Sequence, residues 1–278
     1  MNKLLLNFDL KNVIYSRLSS KVKYYFEVDN LDFIRSQIKR NDVLFIGNSS
    51  KILYAFDYKD CMVIKYTKND IKIYENYLIV DSGCSLFKLG NFAIEHEING
   101  FEKIMTIPGL VGGSLINNVS FLNQCISDNL FAIEIIDNFG NVRILYKNEI
   151  DCFYRKIKIK YEKYFIFKAI FRIDFATKNE LKLSKEKAFR YRKEKQPNIL
   201  SLGSTFKNID NFKAYKLIED NISFKGYGGF LISDKHKNFI EINKDLDKLN
   251  LVKLIERIQE VLYNKVGLFL ETEIIIVY

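Results

Sequence analysis

The sequence predicts an α+β fold, and three observations carry that expectation. Short strand-like runs recur from Tyr24 to Ile173, apolar stripes at helical spacing run from Leu86 to His96 and from Leu251 to Leu262, and Asp137-Asn138-Phe139-Gly140-Asn141 has the composition of a hairpin turn. At 278 residues and 48% apolar content, the chain is long for one core and suits two or three small domains.

Along the chain, Tyr24–Val28 reads as a strand. Asn30 is placed to cap a short helix carrying Leu31, Ile34 and Ile38, and Val43–Ile46 reads as a buried strand ending at Gly47-Asn48-Ser49-Ser50. That turn has the residues for tight geometry and outward-facing donors, and a plain surface turn accounts for it equally well. Three strand-like runs follow between Cys61 and Asp81. Leu86, Leu89, Ala93 and His96 then share a helix face up to Gly100, so His96 is expected to be a partnered structural histidine. Ile133–Ile136 and Val142–Tyr146 flank the hairpin turn, and Tyr164–Ile173 is another strand. The lysine-rich run to Lys195 reads as a helix with a solvated face, broken by Gln196-Pro197. A short helix falls near Lys216–Asp220. The stripe through Leu251, Leu254, Ile255, Ile258, Val261 and Leu262 makes a longer one, with Gly267 at the C-terminal cap. Leu268–Val277 closes the chain as a strand, on which Glu271 and Glu273 are expected to share a face. Boundaries fall near Phe56–Lys59 and near Gln196, and there is no internal repeat.

Bulk properties exclude several functions. No run of about eighteen apolar residues is present, and the start reaches Asp9 too soon for a signal peptide, so a cytoplasmic protein without membrane insertion is expected. Cys61, Cys84, Cys125 and Cys152 are scattered, and only His96 and His236 accompany them, so no metal site is expected. The net charge of +9 invites a nucleic-acid reading, but only nine of the 43 basic residues are arginine and the lysines are dispersed. Nucleic-acid binding is therefore not expected.

The stretch with most chemical content is Ile107-Pro108-Gly109-Leu110-Val111-Gly112-Gly113-Ser114, followed by Asn117-Asn118. It spends three of thirteen glycines and one of two prolines. Glycine permits close backbone approach, and main-chain amides leading into a helix form a cradle for phosphate oxygens, so a pyrophosphate-bearing cofactor is the first hypothesis. A simple turn is the alternative when glycine alone is considered.

Further motifs follow in order: Phe153-Tyr154-Arg155, Gln196-Pro197 with Gly203-Ser204-Thr205-Phe206-Lys207-Asn208, Gly228-Gly229 with Ser233-Asp234-Lys235-His236-Lys237-Asn238-Phe239-Ile240, and Leu270-Glu271-Thr272-Glu273. Together with the glycine motif they resemble the UDP-N-acetylenolpyruvoylglucosamine reductase family, in its shorter subclass. The resemblance runs from about Asp42 to Tyr278. It implies a two-part FAD-binding domain of the vanillyl-alcohol-oxidase/p-cresol-methylhydroxylase type, in residues 1–58 and 59–195, and a C-terminal α+β substrate-binding domain in residues 196–278. The implied activity is NADPH-dependent reduction of UDP-N-acetylglucosamine enolpyruvate to UDP-N-acetylmuramate, for peptidoglycan precursor synthesis, with FAD and NADPH as cofactors and a monomeric enzyme.

By the same resemblance, Arg155 is the active-site arginine, Ser204 the proton donor and Glu273 the C-terminal catalytic glutamate. Gly47, Asn48, Ser49, Ser50, Ile107, Pro108, Gly109, Gly112, Gly113, Ser114 and Asn118 fall at cofactor-binding positions, and Tyr154, Lys207 and Asn208 at substrate-binding positions. The chain departs from the family in its first phosphate turn, which has one glycine in place of three. Ser19-Ser20 stands where a Gly-Gly pair is common, and Ser120, Asn123 and Gln124 replace glycines after Asn118. A flavin oxidoreductase of the same fold acting on another acceptor, and a non-catalytic basic nucleotide-binding protein, are the alternatives.

Overall fold

The computed structural model describes residues 3–209, 212–243 and 245–278. They form two compact units. The first holds the chain up to Phe8, Val22–Asn48 and Asp60–Arg190, and the second holds Asp9–Lys21, Ser49–Lys59 and Tyr191–Tyr278. The units do not follow chain-contiguous cuts at 58 and 195, because Ser49–Lys59 folds with the C-terminal part.

In the first unit, a four-stranded sheet has the order Lys3–Asp9, Lys21–Val28, Tyr58–Tyr66, Val43–Ile46. The last pair is parallel, with Val43 opposite Met62. Helix α1 (Leu31–Gln37) starts as expected at Asn30, whose side chain accepts from Asp32 N at 2.7 Å. Its Ile34 is fully buried with Val28, Ile38 and Ile64.

A five-stranded antiparallel sheet in the same unit runs Val142–Tyr146, Leu130–Asp137, Tyr164–Arg172, Tyr77–Asp81, Ile71–Tyr74. The predicted hairpin is present, with Ile136 opposite Val142. Asp137 is fully buried at its corner and accepts from Phe139 N at 2.9 Å, Asn141 N at 2.8 Å and Arg143 Nε at 3.1 Å. Helices α2 (Leu86–Glu95) and α3 (Val111–Ile116) contribute Leu86, Leu89, Val111 and Leu115 to a core shared with Leu78, Ile133 and Phe171. His96 ends α2 as its C-cap. It is exposed, yet partnered: its Nδ1 lies 2.8 Å from Phe92 O and its ring stacks on Phe92. Helix α4 (Lys178–Lys195) buries only Leu181 and Ala188, the solvated helix its lysines predict.

The second unit is built on α5 (Ala214–Asn221), α6 (Lys248–Val266) and short strands. The apolar stripe of α6 is buried against Leu18, Leu53, Phe206, Phe230 and Leu270. Asp247 caps the start of α6 through Leu249 N at 2.9 Å, and Gly267 closes it in the left-handed conformation at φ +69°. The final strand is shorter than predicted. Only Ile275–Val277 is extended, paired in parallel with Ile52–Tyr54.

All four cysteines are free, Cys61 and Cys84 being buried. Loss of solvent pushes the Cys84 thiol up to about 11, as suits a packed, unreactive side chain. Among the described residues no His, Cys, Asp or Glu cluster has metal-holding geometry, and no helix is long and apolar enough to cross a membrane.

Candidate active site

The glycine loop is shaped first by packing. Gln124 Oε1 accepts from Lys103 N and Ile104 N, at 2.8 and 3.1 Å, and so anchors the helical turn Ile104–Thr106 that leads into the loop. Two main-chain amides expected to be bare are occupied. Val111 N donates to Cys84 O at 2.8 Å and Gly112 N to Ser82 O at 2.9 Å. A Cβ on Gly112 would lie 2.9 Å from Ser82 Cβ, so this glycine permits that close approach. Gly113 differs, since a Cβ there would meet nothing within 4 Å. A Cβ on Gly47, at the end of Val43–Ile46, would lie 3.6 Å from Leu110 Cδ1, so its turn and the 107–113 loop lie side by side. Of Gly47, Gly112 and Gly113, Gly113 alone borders open space. In the first turn, Ser49 keeps a glycine-like φ of +50°, and its buried hydroxyl pairs with Tyr54 Oη at 2.9 Å.

The loop is tied to the arginine. Asn118, at φ +39°, donates through Nδ2 to Phe153 O at 2.9 Å and accepts from Cys125 Sγ at 3.0 Å. Phe153 opens the tight hairpin between Asp151–Phe153 and Lys156–Lys158, whose tip is Tyr154-Arg155. Arg155 sits at φ +58°, a costly conformation for a side-chain-bearing residue. Its Nη1 reaches Ser120 O at 3.3 Å and Oγ at 3.4 Å, and its guanidinium lies 5.5 Å from the Tyr154 ring centre. Ser120 thus serves as a partner for the arginine.

In the second unit, Ser204–Lys207 threads between two other segments. Thr205 N donates to Asn238 O at 2.8 Å, and Asn238's amide brackets Phe206 N and O at 2.9 Å each. On the other side Lys207 N donates to Glu271 O at 2.9 Å and Glu273 N to Thr205 O at 2.8 Å. This brings Ser204 and Glu273 together although 69 residues separate them. Both meet one cation, for Lys51 Nζ lies 2.9 Å from Glu273 Oε1 and 2.8 Å from Ser204 O. The Glu273 side chain is 8% exposed.

Glu271 does not share its face. It is 71% exposed and pairs with Lys207 Nζ at 2.9 Å. The amides of Glu273 and Ile274 both point to Thr205 O, and the resulting bend breaks the two-residue alternation of a strand. Asn208 Oδ1 accepts from Ala214 N at 2.9 Å, where α5 begins. Of the expected catalytic trio, Arg155 lies in the first unit, and Ser204 and Glu273 in the second. Lys51 was not singled out from sequence, though it is the one charged residue in Gly47–Leu53.

Comparison with known proteins is consistent with this layout. Residues 195–277 match the family model "UDP-N-acetylenolpyruvoylglucosamine reductase, C-terminal domain". Proteins named UDP-N-acetylenolpyruvoylglucosamine reductase from Caldicellulosiruptor saccharolyticus and Pelagibacter ubique are each 33% identical to this chain. The alignments cover 95% of the chain and 89% of the former protein, and 98% and 94% for the latter. The crystal structure of the reductase from Thermus caldophilus has the same fold, with a TM-score of 0.84 at 23% identity, over 100% of this chain and 99% of that one. The chain is therefore of the FAD-dependent oxidoreductase class. It belongs to the UDP-N-acetylenolpyruvoylglucosamine reductase family.

Proposed function

We propose that this protein catalyses the NADPH-dependent reduction of UDP-N-acetylglucosamine enolpyruvate to UDP-N-acetylmuramate, a cytoplasmic step in peptidoglycan precursor synthesis, as a monomer. The observation that supports this best is the pairing of Ser204 with Glu273 inside the second unit, on motifs that also match the family in sequence.

FAD, when bound, supplies a hydride to the outer carbon of the enolpyruvyl group. Its diphosphate would be held by the backbone of Gly47, Asn48 and Gly113, with Ser49, Ser50, Ile107, Pro108, Gly109, Gly112, Ser114 and Asn118 shaping the two turns. In this reading the first unit makes a cofactor domain of the vanillyl-alcohol-oxidase type, and the second receives the sugar nucleotide.

Hydride addition leaves an electron pair on the inner carbon, delocalised onto the adjacent carboxylate. Arg155 meets that carboxylate with two parallel N–H groups, and its charge stabilises the anion more as the negative charge grows. Ser204 Oγ gives its proton to the inner carbon, completing the saturated lactyl ether, and regains a proton from solvent. Glu273, the expected C-terminal catalytic glutamate, is paired with Lys51 at 2.9 Å and so orders the surroundings of Ser204 instead of donating to the substrate carboxylate. Tyr154 packs beside the acceptor, and Lys207 and Asn208 contact the enolpyruvyl or phosphate groups.

An absorption spectrum of the purified protein, followed by anaerobic titration, tests the reading. The protein should be yellow, bleach with NADPH and recover its flavin bands when the enolpyruvyl sugar nucleotide is added. Reduced protein that ignores this acceptor, or colourless protein that takes up no FAD, removes the assignment.

A further inference from the structure

We propose that Lys51 is a positioning residue for this reduction, holding Ser204 and Glu273 in register and neutralising the glutamate beside an anionic substrate. The inference rests on the function proposed above. Two distant chain segments converge on its ammonium group. The main chain of Lys51 is fixed where Ile275 N donates to Lys51 O at 2.8 Å, at the start of the parallel pairing of Ile52–Tyr54 with Ile275–Val277. From there the side chain reaches back to Glu273 Oε1 at 2.9 Å and to Ser204 O at 2.8 Å. Gly203, at φ +72°, leaves room for it, since a Cβ there would lie 3.0 Å from Lys51 Nζ. Only 23% of the Lys51 side chain is exposed, so its charge acts with limited solvent screening.

Two consequences follow for the chemistry. The bond to Ser204 O fixes the main chain from which the proton-donating hydroxyl projects, and small misplacements at a reacting centre are costly. The contact with Glu273 offsets a negative charge that would otherwise repel the substrate carboxylate as that carboxylate gains charge. Lys51 itself acts through these two groups.

Stopped-flow measurement of the two half-reactions on FAD-loaded enzyme tests the assignment. Lys51→Met should leave flavin reduction by NADPH within about twofold of wild type, while reoxidation by the enolpyruvyl substrate falls about 100-fold, the scale of a misplaced catalytic group. Lys51→Arg should recover most of that loss, because the cation returns. Equal slowing of both half-reactions, or a Lys51→Met enzyme as fast as wild type, overturns the role. Wild-type enzyme that is reduced by NADPH but not reoxidised by this substrate instead sinks the parent function, and the lysine's role with it. Urea unfolding of the apoprotein gives a readout independent of turnover. The midpoint of the Lys51→Met/Glu273→Gln double variant should lie close to that of the worse single variant. Strictly additive midpoints would mean that the two side chains are not coupled.

Discussion

Ser204 is held by its main chain: its carbonyl accepts from Lys51, and the next residue, Thr205, is bonded through its amide to Asn238 O and through its carbonyl to Glu273 N. Removing the hydroxyl leaves all of these bonds in place, so Ser204→Ala separates chemistry from folding. It should unfold at the wild-type denaturant midpoint and be reduced by NADPH at the wild-type rate, with reoxidation by the enolpyruvyl substrate slowed about 10²–10⁴-fold, the usual contribution of a general acid. Equal slowing of both half-reactions would take Ser204 out of the proton-donor role. Arg155 shows the opposite economy. Its left-handed backbone costs about 1–2 kcal/mol, and the hairpin tolerates it because the turn aims the guanidinium at Ser120. Ser204, Glu273 and Arg155 were singled out in the sequence by their flanking motifs. Lys51 was not, because nothing local marks a lysine whose partners lie more than 150 residues away.

Elements with a strong local signal read correctly: the Asn30 cap, the Gly267 stop and the hairpin at Asp137–Asn141 all follow from short-range chemistry. The hairpin makes a pH prediction. Burial pushes the Asp137 carboxyl up, but donation from Asn141 N, Arg143 and Phe139 N outweighs it and holds the group below its ordinary 3.8. A depressed folded value contributes stability above the ordinary carboxylate range and loses it as pH falls through the lowered value. Wild type should therefore lose stability from about pH 4 downward faster than Asp137→Asn, which is weaker at neutral pH. Urea midpoints across that range check it, and parallel curves would show that the charge contributes nothing. The glycine loop reads less well, because its glycines do different work. Gly112→Ala forces a contact with Ser82 and should lower apoprotein stability by about 1–3 kcal/mol. Gly113→Ala has open space and a helical backbone, so the apoprotein should be as stable or up to about 1 kcal/mol more stable, with weakened FAD binding. Thermal melts and flavin titration of the two variants separate these roles, and unchanged FAD affinity in Gly113→Ala would remove Gly113 from the cofactor surface.

On the scale of the whole molecule, periodicity and turn chemistry showed which segments form elements but not which distant segments pair. The strand Ile52–Tyr54 reads locally as the end of an N-terminal α/β unit, yet its partner is Ile275–Val277, more than 200 residues on. The same pairing bends the chain at Glu273 and upsets the alternation expected for Leu268–Val277. It also means that the C-terminal segment cannot complete its own core. Leu18 and Leu53, 2% and 0% exposed, pack with Leu254, Ile258 and Leu270. Lys248, on α6 and itself buried, donates to Ser19 O and Ser20 Oγ and pairs with Asp57 at 3.0 Å. A fragment of residues 196–278 lacks both leucines, the parallel strand and every one of those lysine partners. The leucines alone account for about 3–6 kcal/mol of burial, against a total stability of roughly 5–15 kcal/mol for a domain. An uncompensated Lys248 adds to the loss. The isolated fragment should therefore show helical far-ultraviolet circular dichroism from α6 but no cooperative thermal transition and no fixed near-ultraviolet signal. Fusing Asp9–Lys21 and Ser49–Lys59 to it through flexible linkers should restore the transition. If the bare fragment melts cooperatively, its core is self-sufficient and the N-terminal segments are accessories to it.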